Sequence, residues 1–400
     1  MQSKLKRTLG LFQVSFYGIG TILGAGIYAL IGKISAVAGI WVPMSFVFSA
    51  VLVSFTAYSY IQLVRMFPKS AGEAEYVYQS FKSLSLSNLV GWLVAFSGLV
   101  SAATLTRGFV GYFQTFFDIN TLYIQLGLIV FIALIAVAGI RESAWTAVVI
   151  TFIEVFGLLL ICWKGFPFVL NEGLTKFKAE AFFDIGTIAP VLSGGFLAIY
   201  AYIGFEDIVN LAEEVKKPKR NIPLAIFFSL LVSTVLYVLV GLVSVSALSP
   251  QELGASDSPL SEVYKKSGGN PAFLSLIGLF AIFNGLLAQV IMVSRILYGT
   301  RHQLKFLKLL SVVNLKTQTP IISTVFISVS ILLFSLNFPI EKLAGGTSYL
   351  ILSIFTLINA ALITINFNAS TPKLLNYFMP SLGILLNVGL IIINFLNMNF

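Results

Sequence analysis

The sequence predicts an all-α integral membrane protein with about eleven transmembrane helices. Only 10% of its 400 residues are charged and 58% are hydrophobic, and its mean hydropathy is +0.94. Because a soluble domain carries about 25% charged residues, we expect nearly all of this chain to lie in a bilayer. The formal charge of +9 therefore bears on membrane topology and does not indicate nucleic-acid binding.

The predicted spans are apolar windows bounded by charged residues, proline or glycine. Their predicted limits are 11–32, 40–66, 87–116, 121–140, 144–163, 189–211, 223–248, 272–299, 321–338, 346–367 and 377–399. With the N-terminus in the cytoplasm, the larger share of the 25 basic residues falls on the inner side, as the positive-inside rule requires. We therefore expect a multi-pass cell-membrane protein with a cytoplasmic N-terminus.

The first span is unusually rich in glycine at mid-depth. Gly18, Gly20, Gly24 and Gly26 fall in one apolar run, and each costs a helix interior roughly 1 kcal/mol relative to alanine. We therefore expect the helix to break around Gly24-Ala25-Gly26. Backbone groups freed inside a membrane must face protein, a polar cavity or a ligand, so the break is a candidate binding site. Close helix packing is the alternative explanation of these glycines.

The sixth span shows a similar irregularity. Small residues at 193–195 lead into an apolar window that contains Glu206 and Asp207. Carboxylates at such a position are costly unless they face a cavity or a partner. Two interrupted spans in corresponding positions indicate a secondary transporter built from inverted repeats, with its site at the repeat interface. The predicted organisation is a single membrane domain with a first repeat at 1–169, a second at 189–367 and an additional span at 377–399.

Two motifs resemble those of the amino acid, polyamine and organocation transporters. Residues 18–28, GIGTILGAGIY, are similar to the G-I-G-x-I-x-G-x-G-I-F/Y signature of the first span. Residues 202–206, YIGFE, and 213–223, EEVKKPKRNIP, are similar to the Y/F-x-G-F-D and E-E-x-x-x-P-x-R-x-I-P patterns of the sixth. The resemblance implies an amino-acid permease with a LeuT-like 5+5 inverted repeat and broken helices one and six.

The resemblance also implies a substrate site made largely of backbone. The substrate carboxylate would meet N–H groups at the break in span one, and the ammonium would meet carbonyl groups of spans one and six. Side chains of span six would border the pocket for the substrate side chain. The implied substrate-binding residues are Gly20, Ile22, Gly24, Ala25, Gly26, Ile27, Tyr200, Ala201, Tyr202 and Ile203. For Tyr200 and Tyr202, ordinary helix packing is the alternative.

Span five departs from the family at one place. Proton-coupled relatives often carry a lysine there, and this sequence has Glu154. Ala147, Thr151, Glu154 and Gly157 form one small, polar stripe at helical spacing, so we expect Glu154 to face the bundle. We predict that it carries a proton across the membrane with the substrate. The alternatives are a permanently protonated residue, a ligand for another cation, or an uncoupled exchanger.

Charged residues after span six form a second implied group. Glu213, Glu214 and Arg220 match the family motif at the inner end of the span, and we expect them to form a cytoplasmic gate that breaks and reforms during transport. A static charge cluster is the alternative.

The expected function is therefore proton-coupled uptake of a neutral or apolar L-amino acid by alternating access. The alternatives are an exchanger of cationic amino acids or polyamines, and a non-transporting sensor with the same fold. We expect no enzyme activity, no catalytic residues, no cofactor and no metal site, because the chain has one cysteine and one histidine. The expected partners are the amino acid, a proton or another cation, and the lipid bilayer; no nucleic acid is expected, and the sequence does not indicate an oligomeric state.

Overall fold

The structure is a computed structural model that describes residues 7–69, 72–138, 144–173, 177, 185–299 and 319–397. Within these ranges the regular elements are helices, and a single parallel bridge joins Leu9 to Val215. In chain order the helices are α1 (Leu11–Ala38), α2 (Val42–Met66), α3 (Gly72–Phe81), α4 (Leu84–Gln114), α5 (Thr121–Ala138), α6 (Ala144–Phe168), α7 (Ile185–Tyr202), α8 (Pro218–Ala247), α9 (Pro250–Ala255), α10 (Pro259–Lys266), α11 (Pro271–Gly299), α12 (Ile321–Asn337), α13 (Ile340–Phe367) and α14 (Leu375–Asn397).

Eleven of these helices coincide with the eleven predicted spans. In the described part of the chain, nine apolar stretches are long enough to cross a membrane, and one of them, Leu11–Met66, contains both α1 and α2. The shorter apolar helix Ile321–Asn337 accounts for the remaining span. The prediction of a multi-pass, all-α membrane protein is confirmed.

The predicted break in span one is wrong. Helix α1 runs without interruption from Leu11 to Ala38. Most of its glycines serve close packing instead: a Cβ atom on Gly20 would collide with the Thr151 hydroxyl, and one on Gly26 would collide with the Cα atom of Ala201, whereas one on Gly24 would make only ordinary contacts, the nearest at 3.6 Å. Dense contact with neighbouring helices compensates for the low helix propensity of glycine, so the alternative explanation of these glycines is the correct one.

Span six is broken, but later than the sequence suggested. Residues 193–195 are helical, and a Cβ atom on Gly194 would lie 2.7 Å from the Cβ atom of Ala38. Helix α7 ends at Tyr202, and after a turn at residues 203–205 the chain forms a 3-10 helix over Glu206–Leu211. Gly204 has φ +126°, a conformation that residues with a side chain rarely adopt. Therefore Gly204, and not the glycines before it, permits the break.

Buried polar contacts join α2 to α13 and to α14, the helix of the eleventh span. Asn359 in α13 donates to the Thr56 hydroxyl at 2.9 Å and accepts from the Ser59 hydroxyl at 2.6 Å, both in α2. Asn387 in α14 donates to the same Thr56 hydroxyl at 3.5 Å. Because apolar side chains gain little by associating within lipid, hydrogen bonds and close packing hold such helices together. Helix α14 is thus an integral part of the bundle.

The connecting segments outside the spans are partly helical. Helix α3 connects α2 to α4, and α9 and α10 lie between α8 and α11. Helix α9 begins with a capping box in which Ser249 and Glu252 each bond the backbone N–H of the other. The basic stretch at 300–318 lies outside the described residues.

Candidate functional site

Helices α1 and α7 meet at the centre of the bundle. Gly26 packs directly on the backbone of Ala201, and the flanking side chains of Ile22, Ile27 and Tyr202 are all at most 1% exposed. The two segments that the sequence assigned to the substrate site therefore lie side by side, enclosed by protein.

The hydroxyl group of Tyr237, in α8, bridges these two segments. It lies 2.6 Å from the carbonyl oxygen of Ile22 and 2.8 Å from that of Ala201. These carbonyls belong to the set that the family resemblance implies for the substrate ammonium. The sequence alone does not single out Tyr237, since a tyrosine in an apolar span carries no local signal; only its contacts with both segments distinguish it.

The break in span six is held by polar contacts on both of its sides. The Thr21 hydroxyl donates to the carbonyl oxygen of Gly204 at 3.1 Å, and the N–H of Gly204 donates to Glu206 Oε2 at 2.9 Å. A Cβ atom on Gly204 would lie 2.6 Å from the carbonyl oxygen of Thr21. Backbone groups freed by the break are thus paired with α1 and with Glu206, as the membrane interior demands.

The prediction that the stripe containing Glu154 faces the bundle is confirmed. Glu154 is 1% exposed and Thr151 is 2% exposed. The Thr151 hydroxyl donates to the carbonyl oxygen of Phe16 at 3.1 Å. A Cβ atom on Gly24 would lie 3.8 Å from Glu154 Oε1, and the Tyr28 hydroxyl donates to the Glu154 carbonyl oxygen at 3.2 Å. The carboxyl group therefore lies against the middle of α1.

A small cavity adjoins the break on the side of α4, α11 and α13. Its volume is about 20 Å³, enough for about one water molecule. Three acidic residues line it, Glu73, Glu206 and Asp207, and among its other polar lining residues are Ser101 and Gln289. All of these groups can accept hydrogen bonds, and no lysine or arginine lines the cavity.

The two candidate tyrosines of α7 face different neighbours. Tyr200 exchanges a hydrogen bond with the Ser101 hydroxyl at 3.1 Å, which places it next to the acidic cavity. Tyr202 donates to the carbonyl oxygen of Phe46 at 3.0 Å and is fully buried, so its hydroxyl fixes α7 to α2. Ile203 lines the cavity itself.

The regular helical conformation of α1 leaves the N–H groups of the implied carboxylate site bonded within the helix. Ala25, Gly26 and Ile27 lie inside the continuous helix, where backbone N–H groups bond to carbonyls one turn earlier. Their use by a substrate carboxylate therefore requires α1 to open locally, and their role stays a prediction, as do those of Gly20 and Gly24.

The charged residues after the break lie in a linker between the 3-10 helix and α8. The carbonyl oxygen of Glu214 accepts from the N–H groups of Thr8 and Leu9 at 2.9 and 3.0 Å. Glu213 is exposed. Arg220 lines a basic surface cavity with Arg7. The gate function of Glu213, Glu214 and Arg220 stays a prediction.

Comparison with known proteins shows which family the chain resembles. A family model described as "Amino acid permease" matches residues 9–400. The chain is 26% identical to the branched-chain amino acid permease BcaP of Bacillus subtilis, over 91% of this chain and 82% of BcaP. It is 25% identical to cationic amino acid transporter 4 of Homo sapiens, over 93% of this chain and 62% of that protein. A similar match, 25% identical over 88% of this chain, spans 61% of the mitochondrial cationic amino acid transporter 3 of Arabidopsis thaliana.

Solved structures show the same fold. The crystal structure of MhsT in complex with L-phenylalanine superposes with a TM-score of 0.66, covering 98% of this chain and 99% of that one at 11% sequence identity. This likeness confirms the LeuT-like fold and carries no information on substrate. The glycine-rich α1, the broken span six and the match along nearly the whole sequence lead to one conclusion: this chain belongs to the amino acid permease family of the amino acid, polyamine and organocation superfamily.

Proposed function

We propose that this permease carries an amino acid across the membrane by alternating access and couples its movement to a proton at Glu154. The observation that supports this most directly is the convergence of three features at mid-bundle. Backbone carbonyls of Ile22 and Ala201 meet at one hydroxyl, and the buried Glu154 lies beside Gly24 in the same segment of α1.

The chemistry of this arrangement suits a zwitterion. Two carbonyl oxygens directed at one point can accept from an ammonium group, and local opening of α1 would offer N–H groups to a carboxylate. Because Gly26 and Ala201 are in contact, substrate entry requires α1 and α7 to separate. In alternating access, α1 and α7 would separate first towards one side of the membrane and then towards the other.

We expect Glu154 to respond to that motion. Its carboxyl group is 1% exposed, and a buried charge in a low-dielectric interior is costly, so a neutral, protonated form suits the packed arrangement. Opening a water path beside α1 would favour release of the proton. Binding of another cation at the same carboxylate is the main competing mechanism.

Uptake measured against external pH tests the coupling. In proteoliposomes, we expect Glu154→Gln to abolish the pH dependence of uptake while counterflow of labelled amino acid continues. Asp118→Asn, at an exposed loop acid, is the control and should keep the native profile. An unchanged pH dependence in Glu154→Gln would refute proton coupling at this residue, and absence of counterflow in the native protein would refute transport.

The sequence favoured a neutral or apolar substrate, but the acidic cavity favours a second candidate. Glu73, Glu206 and Asp207 line a space next to Tyr200 and Ile203, where the substrate side chain is predicted to lie. Carboxylates there would attract a lysine-like or arginine-like side chain. The cavity is small, so it must widen to admit such a group.

Binding of L-leucine and of L-arginine, measured for the same purified protein, decides between the two candidate substrate classes. For a cationic substrate, we expect Asp207→Asn to weaken L-arginine binding by about tenfold or more and to leave L-leucine unaffected. If only L-leucine stabilises the purified protein against heat, the neutral class is correct and the acidic cavity is structural.

A further inference from the structure

A second, larger cavity opens at the face of the bundle predicted to be cytoplasmic. Its volume is about 290 Å³, and it is lined by Arg7, Pro68, Lys217, Pro218, Lys219 and Arg220. Four of these six residues carry a positive charge and none carries a negative one. A water molecule occupies about 30 Å³ of liquid, so the cavity can hold a group several times larger.

Three separate parts of the chain build this cavity. Arg7 precedes α1, Pro68 follows α2, and the remaining residues form the start of α8. The N-terminal segment is fixed there by backbone hydrogen bonds: Lys216 donates to the carbonyl oxygen of Leu9 at 2.8 Å, and Thr8 donates to that of Glu214 at 2.9 Å. The cationic side chains are therefore gathered by the fold, although they are distant in sequence.

The geometry of the α8 terminus adds to the positive potential. Helix α8 is 30 residues long, and its N-cap residue Lys217 makes no side-chain capping bond. Lys217 also has φ +49°, which turns the chain sharply into the helix. Pro218, the first residue of α8, has no N–H, and the N–H of Arg220 donates to the carbonyl oxygen of Lys217, so the helix favours an anion here mainly through its dipole. Four like charges beside this terminus repel one another unless an anion lies between them.

We propose that this cavity is a binding site for a phosphate group. Arg7, Lys217, Lys219 and Arg220 would donate charge-assisted hydrogen bonds to its oxygens. The site lies at the end of the bundle predicted to be cytoplasmic, so the phosphate can come from an anionic lipid headgroup or from a soluble phosphate compound. Both sources share the same recognition chemistry.

Occupation of the site would act on transport. The cavity connects the segment before α1 with the linker that follows the break in span six, so a bound phosphate ties together the inner ends of the two segments that must separate. A bound phosphate would therefore stabilise the packed arrangement. This site is distinct from the central substrate site and does not depend on which amino acid is carried.

A direct binding measurement tests the proposal without any transport assay. The native protein is placed in phosphatidylcholine nanodiscs with or without phosphatidylglycerol, and retained lipid and thermal stability are measured. In the other arm, glycerol 3-phosphate is added to protein in pure phosphatidylcholine. We expect phosphatidylglycerol to be retained and to raise the half-denaturation temperature, and high salt to reduce both effects.

Charge-matched variants locate the site. Arg7→Gln/Lys217→Asn/Lys219→Gln removes three of the lining charges, and asparagine tolerates the left-handed backbone of position 217. The control, Lys164→Gln/Lys266→Gln/Lys342→Gln, removes three exposed charges from helices α6, α10 and α13 near the opposite face. We expect the first variant to weaken phosphatidylglycerol binding by about tenfold or more and the control to bind normally.

Each outcome is decisive. An effect of glycerol 3-phosphate without an effect of lipid supports the site and assigns it to a soluble ligand. Equal binding by the two triple variants overturns the proposal, because general surface charge would then explain it. Absence of any response to both phosphates in the native protein also overturns it. Circular dichroism of each variant confirms that the helical bundle has formed.

Discussion

The carbonyl oxygen of Ala201 lies 2.8 Å from the hydroxyl group of Tyr237, and the same hydroxyl lies 2.6 Å from the carbonyl of Ile22. One side chain of α8 thus connects the glycine-rich helix α1 to the end of α7. The ring of Tyr237 also packs edge-on against Tyr202, with 5.3 Å between the ring centroids. This tyrosine is therefore a buried polar link between α1 and the end of α7.

Tyr237→Phe should weaken that link while keeping the ring in place. A buried acceptor that loses its partner costs about 1–3 kcal/mol, so we expect lower thermal stability in detergent and slower counterflow. Tyr202→Phe is the matched control: its hydroxyl donates to the carbonyl oxygen of Phe46 in α2 and also contacts Thr234 in α8, so its loss leaves the bonds of Tyr237 to Ile22 and Ala201 in place. If both variants slow counterflow equally, the contact between α1 and α7 has no special role.

Gly204→Ala should disrupt the break in span six. Gly204 has φ +126°, and an added Cβ atom would lie 2.6 Å from the backbone oxygen of Thr21. A side chain held in such a conformation costs about 1–3 kcal/mol, so we expect reduced stability and loss of uptake. Gly127→Ala in α5, where the added atom meets open space, should be neutral or slightly stabilising. Native uptake by Gly204→Ala would show that the turn is not required.

Glu73→Gln should change how stability depends on pH. Glu73 lies in α3, outside the predicted spans, and is 6% exposed; burial raises the pKa of this carboxyl above its ordinary value of 4.5, although the Tyr60 hydroxyl bond at 3.0 Å opposes the rise. The folded protein therefore holds this proton more tightly than the unfolded chain. Its contribution to stability is fully present below pH 4.5 and is lost as pH rises through the folded pKa.

We therefore expect Glu73→Gln to be more heat-stable than the native protein near neutral pH, and no more stable below pH 4.5. Glutamine keeps an oxygen that can accept from Tyr60. Thermal denaturation in detergent across this pH range measures the difference. The same difference at all pH values would contradict titration of Glu73 as its cause.

The C-terminal part of α1 is joined to α13 by an ion pair. Lys33 Nζ lies 3.1 Å from Glu341 Oε1 and donates to the carbonyl oxygen of Gly254 at 2.9 Å. The side chain of Glu341 is 42% exposed, so the pair is worth about 0–1 kcal/mol. We expect Glu341→Gln to change counterflow rates by about fivefold at most, and Glu341→Lys to change them more, especially at low salt.

Glu262→Gln is the control for this pair. Glu262 pairs with Lys265 in the same short helix, so its loss cannot separate two elements. A larger change in counterflow rate from Glu262→Gln than from Glu341→Lys would exclude a role for the Lys33–Glu341 contact in transport.

The sequence predicted correctly those features that depend on a local property of the chain, such as apolar length or helical spacing. Apolar length determines where a chain can cross a membrane, so all eleven predicted spans coincide with helices. Helical spacing likewise showed that Glu154 shares a face with Thr151, and both are buried against protein. The motifs at 18–28 and 202–223 were enough to indicate the family that the comparisons establish.

Only the tertiary structure determined the features that depend on contacts between residues distant in sequence. The glycines of α1 lower helix propensity in the same way whether the helix breaks or packs, and only the positions of Thr151 and Ala201 against them determine that it packs. Tyr237, the acidic cavity and the basic cavity each unite side chains from separate helices. Their physical cause is proximity across the bundle, which no single stretch of sequence encodes.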